Sequence, residues 1–209
     1  MLILCDFDGT ITLEDVTNCI WDHYHGPEWR DWLLPDYRAG KTTTLQVMSA
    51  GFKPIRAPLS EMMEIAQHHR TLRTGFEAFA TECKMRGWPL YVVSCGLDVY
   101  IREFLPPGIP VISYEAELRT DGWDVRLPAD VTLAPGADFK IHALQRLRQA
   151  HANQPIVFIG DGRNDFPISK HCDRVFAKSG STLERLRLES ELPTFSFDTF
   201  DEIRAELAK

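Results

Sequence analysis

Short apolar runs alternate with longer amphipathic stretches along this chain. The runs "LILC" at 2–5, "LYVVS" at 90–94, "IPVIS" at 109–113, "IVFIG" at 156–160 and "RVFA" at 174–177 are rich in β-branched or aromatic residues. Each predicts a strand buried on both faces. Between them, 74–86 places Phe76, Phe79, Ala80 and Cys83 on one helical face, 97–105 is helix-like, and 138–151 carries Ile141, Leu144 and Leu147 at helical spacing. This alternation predicts an α/β fold with a parallel sheet, Rossmann-like in its layering. Two segments break it. Residues 13–72 have no strand pattern but several helical stretches, including "LSEMMEIAQHHR" with Ser60 as the expected N-cap. They predict a helical insertion after the first strand, with 1–12 and 73–209 forming the core. Later, "YEAELRTDGWDVRL" alternates around Asp121-Gly122 and predicts a β-hairpin, a small excursion on that core.

Composition narrows the class. The chain has 209 residues, 44% of them apolar, enough for one domain with a sizeable core or a domain carrying an insertion. Its net charge of −7, with no block of Lys or Arg, argues against nucleic acid or an anionic membrane as main partner. Five cysteines without a CxxC pair argue against a disulfide framework or a structural zinc site, and free thiols suit a reducing cytoplasm. No signal peptide and no membrane span are expected, because the N-terminal apolar stretch is short and no long apolar run follows. A cytoplasmic protein is the expectation, with homodimerisation left open.

The strand ends carry the chemistry. Ligands of an open parallel sheet bind at the carboxyl ends of its strands. Here those ends read "DFDGT", "SCG" and "GDGRND". Were the strands neighbours, Asp6, Asp8, Asp161 and Asp165 would share one rim with Ser94 opposite. Four crowded carboxylates repel and raise one another's pKa unless a cation neutralises them. Oxygen ligands alone suit a hard divalent ion, Mg²⁺ before others. The chain is leaving its strand at Asp6 and Asp8, and Gly9 frees the backbone to turn. Both carboxylates are then expected to serve one centre, one as nucleophile and one as proton shuttle.

"DFDGT", "SCG", Lys140 and "GDGRND", in that order, resemble the haloacid dehalogenase-like (HAD) hydrolases. The segment 13–72 is similar to the helical cap of the phosphoserine-phosphatase-like branch. "CDFDGTIT", "SCGLD" and "GDGRNDF…VFAK" most resemble the 2-hydroxy-3-keto-5-methylthiopentenyl-1-phosphate phosphatase-like subgroup. The resemblance implies a phosphatase of a small phosphorylated metabolite. Asp6 would attack phosphorus to give an aspartyl phosphate, and Mg²⁺ would be held by the Asp6 carboxylate, the Asp8 carbonyl and Asp161. Asp8 would protonate the leaving oxygen and then activate water. Dehalogenase members lack that second aspartate, so Asp8 favours phosphoryl chemistry. Transfer of the phosphoryl group to another hydroxyl, as in a phosphotransferase or mutase, is the alternative within enzymes. A phosphometabolite-binding protein without turnover is the alternative outside them, and Asp8 counts against it.

The remaining assignments each compete with a plainer reading. Lys140, near the start of a helix, would ordinarily be solvated, but its place between motifs makes it the charge partner of Asp6 and phosphate. Ser94, Cys95 and Gly96 resemble a phosphate-holding loop, although Cys95 stands where many relatives carry Gly. A Cys95 nucleophile with His142 or His171 as base has no other support. Asp165 is expected behind the metal waters or Lys140, or as the N-cap of a helix near Phe166-Pro167, and Asn164 near phosphate. Asp15 is the candidate substrate contact, with helix capping as its ordinary alternative. Arg38, Lys41 and Arg56 are candidates for a substrate carboxylate. Trp21, Tyr24, Trp29 and Trp32, with His23 and His25, line a pocket or simply fill the cap's core.

Overall fold

The computed structural model describes residues 1–134 and 136–209. Among these residues, seven strands form one sheet: β1 (Leu2–Cys5), β2 (Leu90–Leu97), β3 (Val111–Arg119), β4 (Gly122–Arg126), β5 (Ile156–Gly160), β6 (Arg174–Lys178) and β7 (Phe195–Phe197). Their order is β4-β3-β2-β1-β5-β6-β7, parallel throughout except for the antiparallel edge strand β4. β1 is central, with Cys5 aligned to Val92 of β2 and Ile159 of β5. The carboxyl ends of β1, β2 and β5 therefore meet side by side.

Alternation along β1 explains why every residue of it is apolar. Ile3 and Cys5 enter one core with Phe7, Phe79 and Phe200, while Leu2 and Leu4 enter the other with Leu144, Phe158 and Val175. Both faces are sealed by helices. The helices outside the insertion are α5 (Phe76–Met85), α6 (Asp98–Phe104), α7 (Phe139–Ala150), α8 (Asp165–Ser169), α9 (Thr182–Glu189) and α10 (Phe200–Leu207). No helix among the described residues is long and apolar enough to cross a membrane.

The insertion holds four further helices: α1 (Val16–His25), α2 (Trp29–Arg38), α3 (Thr44–Phe52) and α4 (Leu59–His68). Thr43 and Gln46 close α3 with a capping box, satisfying two backbone donors at once. At α4 the expected cap is wrong: the helix starts at Leu59, so Ser60 already lies within it. Extended Pro58 occupies the N-cap position without a side-chain bond, and proline's fixed φ sets the entry to the helix. A single bridge between Thr12 and Leu72 pins the two links that join the insertion to the sheet.

The predicted hairpin is present but has a larger part than an excursion. β3 pairs with β2 through Val111, Ile112 and Tyr114, then with β4 from Glu115 onward. Trp123 Nε1 donates to Ala57 O at 3.1 Å and Ser49 Oγ donates to Val125 O at 3.1 Å, so β4 also holds the insertion. Gly122, at φ 111°, lies so close to the Lys53 backbone that no Cβ fits. β2 also runs past its predicted end, through the "SCG" motif to Leu97. Its pairing with β3 shifts register between Val93 and Leu97, then resumes at Leu97–Tyr114.

Candidate active site

The loop after β1 folds back at once. Thr10, Ile11 and Thr12 all donate backbone N–H groups to Phe7 O, and Gly9 takes φ 74° as the turn requires. Fully buried Phe7 anchors this turn between Tyr100 and Phe104. Arg73, on the link returning from the insertion, donates to Gly9 O at 2.6 Å and Thr10 O at 2.7 Å. A buried guanidinium thus satisfies loop carbonyls that have no ladder partner.

Asp6, 4% exposed, follows directly on β1. Its Oδ1 accepts from Lys140 Nζ at 2.6 Å, and the same ammonium donates to Asp165 Oδ1 at 2.6 Å. Lys140 reaches this point from the first turn of α7, which Asp138 caps, and is 1% exposed; the solvated reading of this lysine fails. Burial alone would pull its pKa down, but the Asp165 and Asp6 carboxylates hold it well above the lysine range. Asp165 has both oxygens engaged: its Oδ2 accepts from the N–H groups of Asp161 (3.0 Å) and Gly162 (2.8 Å). It opens α8 rather than capping it, because Asn164 stands at the N-cap, without a side-chain bond.

Asp161 completes the cluster, accepting from Thr10 Oγ1 at 2.7 Å. Carboxylate oxygens of Asp6, Asp161 and Asp165 lie within 4.8 Å of one another. Fully ionised, three carboxylates against one ammonium would leave a double negative charge in a largely buried place. Burial and then the Asp165 charge push Asp6 well up, against the pull of Lys140, and raise Asp161 to about 7. A hard divalent cation fits this donor set: its ligands are all oxygens and its charge cancels the excess.

Asp8 lines the same cleft as Asp6 and Asp161, but its carboxylate stands outside their cluster. Its Oδ1 accepts from Val16 N at 2.9 Å, and its Oδ2 from the Tyr100 hydroxyl at 2.9 Å. Tyr100, fully buried on α6, also shares a 2.7 Å hydrogen bond with Thr17 Oγ1. Burial first, then the Asp15 and Asp6 charges, raise Asp8 well above the carboxylate range. A Cβ on Gly96 would meet Asp8 Oδ2 at 2.5 Å, so the "SCG" turn and the acid pack directly together.

One open cleft of about 460 Å³ gathers these groups. From the sheet come Asp6, Asp8, Ser94, Cys95, Gly96, Asp161 and Asn164; from the insertion come Asp15, Asn18, Trp21, Trp29, Tyr37 and Arg38. Ser94 Oγ accepts from Gly96 N at 2.9 Å, which shapes the turn. Burial pushes the Cys95 thiol up to about 11, and neither His142 nor His171 lines the cleft, so a thiolate nucleophile has no base. Asp15 both lines the cleft and caps α1, accepting from Asn18 N at 2.8 Å; burial raises it to about 6. Lys41 pairs with Asp36 and Arg56 donates to Lys53 O, both outside the cleft lining. The aromatic set divides. Trp21 and Trp29 meet edge-on at 4.9 Å in the wall of the cleft, whereas Trp32 is half exposed beside His25 and Tyr24 donates to Glu61.

These carboxylates give the metal-free protein a distinctive pH dependence. Folded pKa values of about 6 for Asp15 and about 7 for Asp161 stand above the ordinary 3.8. The folded state therefore binds protons more tightly, and this stabilisation is lost as pH rises from about 4 to 7. Thermal melts of chelated protein are expected to fall between about pH 5 and pH 8, and less steeply in Asp161→Asn. Parallel slopes for the two proteins would contradict the raised pKa of Asp161.

The sequence model of the haloacid dehalogenase-like hydrolases matches residues 3–170. The chain is 27% identical to the polyol phosphate phosphatase PYP1 of Saccharomyces cerevisiae, covering 99% of this chain and 92% of that one. It is 28% identical to a 2-hydroxy-3-keto-5-methylthiopentenyl-1-phosphate phosphatase of Geobacillus kaustophilus, over 97% and 93%. A phosphoserine phosphatase solved as an analogue of its phospho-aspartyl intermediate superposes with a TM-score of 0.76 at 21% identity, over 98% and 97% of the two chains.

Proposed function

This chain belongs to the haloacid dehalogenase-like hydrolases, and from that membership we propose a Mg²⁺-dependent phosphatase that cleaves a small phosphorylated metabolite through an aspartyl phosphate on Asp6. The observation that carries the reading is the Asp6–Lys140–Asp165 arrangement at the end of the central strand. Lys140 fixes Oδ1 of Asp6 and opposes the burial that raises its pKa, while the second oxygen of Asp6 has no protein partner among the described residues. An ionised carboxylate needs no base to attack phosphorus. Bound between Asp6, the Asp8 carbonyl and Asp161, Mg²⁺ would screen these charges from an incoming phosphate.

Asp8 supplies the proton chemistry. Its raised pKa keeps it protonated long enough to donate to the departing alkoxide oxygen, after which the same carboxylate takes a proton from water. That water attacks phosphorus, the Asp6 acyl–phosphate bond breaks, and inorganic phosphate leaves with Asp6 restored. Ser94, the backbone N–H of Cys95, Lys140 and Asn164 would hold the phosphoryl oxygens, while Gly96, whose own N–H bonds Ser94 Oγ, would shape that turn. Asp165 takes no direct part; it positions Lys140 and the turn at Asp161.

Residues 13–72 would act as a cap, excluding water and choosing the substrate. A cleft of this size and the substrates in the two relatives' names together support a phosphate ester of a short, oxygen-bearing carbon chain. Phosphate release from a panel of such esters, with Mg²⁺ and after chelation, tests the whole reading. Turnover with water as sole acceptor and dependent on Mg²⁺ is expected. Full activity in exhaustively chelated protein would overturn it.

Asp15 is the cap residue assigned to the leaving group. Asp15→Ala is expected to lower kcat/KM for the true substrate while sparing a generic aryl phosphate, which has little cap binding energy to lose. Loss of the α1 cap alone would cost about 1 kcal/mol of stability and leave selectivity unchanged. Equal effects on both substrates would remove Asp15 from recognition.

A further inference from the structure

We propose that Glu14, Cys19 and His69 form a second metal site, for a borderline-soft divalent cation of the Zn²⁺ class, at the neck between insertion and sheet. One oxygen, one sulfur and one nitrogen donor lie within 4.8 Å of one another there. Glu14 Oε2 already meets His69 Nδ1 at 2.8 Å, across 55 positions of sequence. The three residues come from three different elements: the link leaving the sheet, the first turns of α1, and the end of α4. Helical periodicity does not account for such a convergence.

The donor set differs in kind from the carboxylate cluster of the active site. Thiolate and imidazole beside one carboxylate favour Zn²⁺ over Mg²⁺, and three protein ligands leave the fourth tetrahedral position for water. A separate observation supplies access. An open pocket of about 340 Å³ shares His69 with the triad and is lined also by His23, Glu61, Glu64 and His68. His23, one turn along α1 from Cys19, stands at the wall of that pocket rather than among the three donors.

The position gives the site a consequence. Glu14 O accepts from Thr12 Oγ1 at 2.7 Å and from Gly9 N at 3.3 Å, so its backbone belongs to the loop carrying Asp8. His69 stands three residues before Leu72, which bridges to Thr12. An ion held by all three side chains ties both links together and restrains the insertion against the sheet. Slower turnover with Mg²⁺ still in place follows, if cap motion limits the rate.

Cobalt tests this on the full chain, with Mg²⁺ in excess to occupy the carboxylate site. Co²⁺ is expected to produce a thiolate charge-transfer band that saturates at one equivalent and is displaced by Zn²⁺. The band should vanish in Cys19→Ser, weaken in His69→Gln, and persist in Cys95→Ser. Cys19→Ser should keep its Mg²⁺-supported activity but lose the slowing by Zn²⁺. Half-exposed His69 provides the second variant should Cys19→Ser fold poorly. Absence of the band, its survival in both neck variants, or its loss in Cys95→Ser would overturn the site. The proposal stands independently of the phosphatase reading, since the spectrum needs no substrate.

Discussion

Asp6→Asn is expected to lose at least about three orders of magnitude in turnover, a barrier increase of roughly 4 kcal/mol. An amide is a very poor nucleophile, so the covalent route closes altogether. The fold should survive. Asn is nearly isosteric, and the substitution removes one negative charge from a cluster that also holds Asp161 and Asp165. Melting of the metal-free variant is therefore expected at or above the wild-type temperature. Steady-state kinetics and a thermal melt on the same preparation decide the matter. Retention of more than about a tenth of the wild-type rate, only ~1.4 kcal/mol, would refute the nucleophile assignment.

Lys140→Met should damage both stability and activity. The methionine fills a similar volume, but Asp6 and Asp165 then face each other with no ammonium between them. Removing one partner of a buried ion pair typically costs about 3–5 kcal/mol, because a charge is left uncompensated. The loss should be smaller at low pH, where protonation of a carboxyl relieves the repulsion. Urea denaturation at about pH 5 and pH 8 measures this directly. A loss below about 1 kcal/mol at the higher pH would mean that Lys140 does not hold the two carboxylates together.

How much of this was legible in the sequence depends on the range of each interaction. The strands around Asp6 and Asp161 were readable because burial on both faces forces continuous apolar runs, as in "LILC" and "IVFIG". β7 was not, because it is three residues long and two of them are exposed. Lys140 was found only through its order among motifs; nothing in "ADFKIHAL" distinguishes a buried lysine from a solvated one. Tyr100 was missed, although Leu97, Tyr100, Ile101 and Phe104 sit at helical spacing and mark an inward face just after "SCG". Arg73 carried no signal at all. Its partners lie over 60 positions away in the loop after β1, and only the folded neck brings them together. The partners of Asp8 were not legible: Val16 N and the Tyr100 hydroxyl hold its carboxylate outside the cluster of Asp6, Asp161 and Asp165, a geometry set by where the insertion begins.

The central claim is that a phosphoryl group passes onto Asp6. Given an aryl phosphate, whose leaving oxygen departs without a proton from Asp8, Asp8→Asn should form the aspartyl phosphate and fail to hydrolyse it, since no carboxylate remains to activate water. Rapid acid quench of that variant with a turned-over substrate and Mg²⁺, followed by peptide mass spectrometry, locates the label. A phosphoryl adduct on the N-terminal peptide, assigned to Asp6 and absent from Asp6→Asn, is the predicted result. An unlabelled Asp6 in a variant that still consumes substrate, or a label on Cys95, would contradict the account.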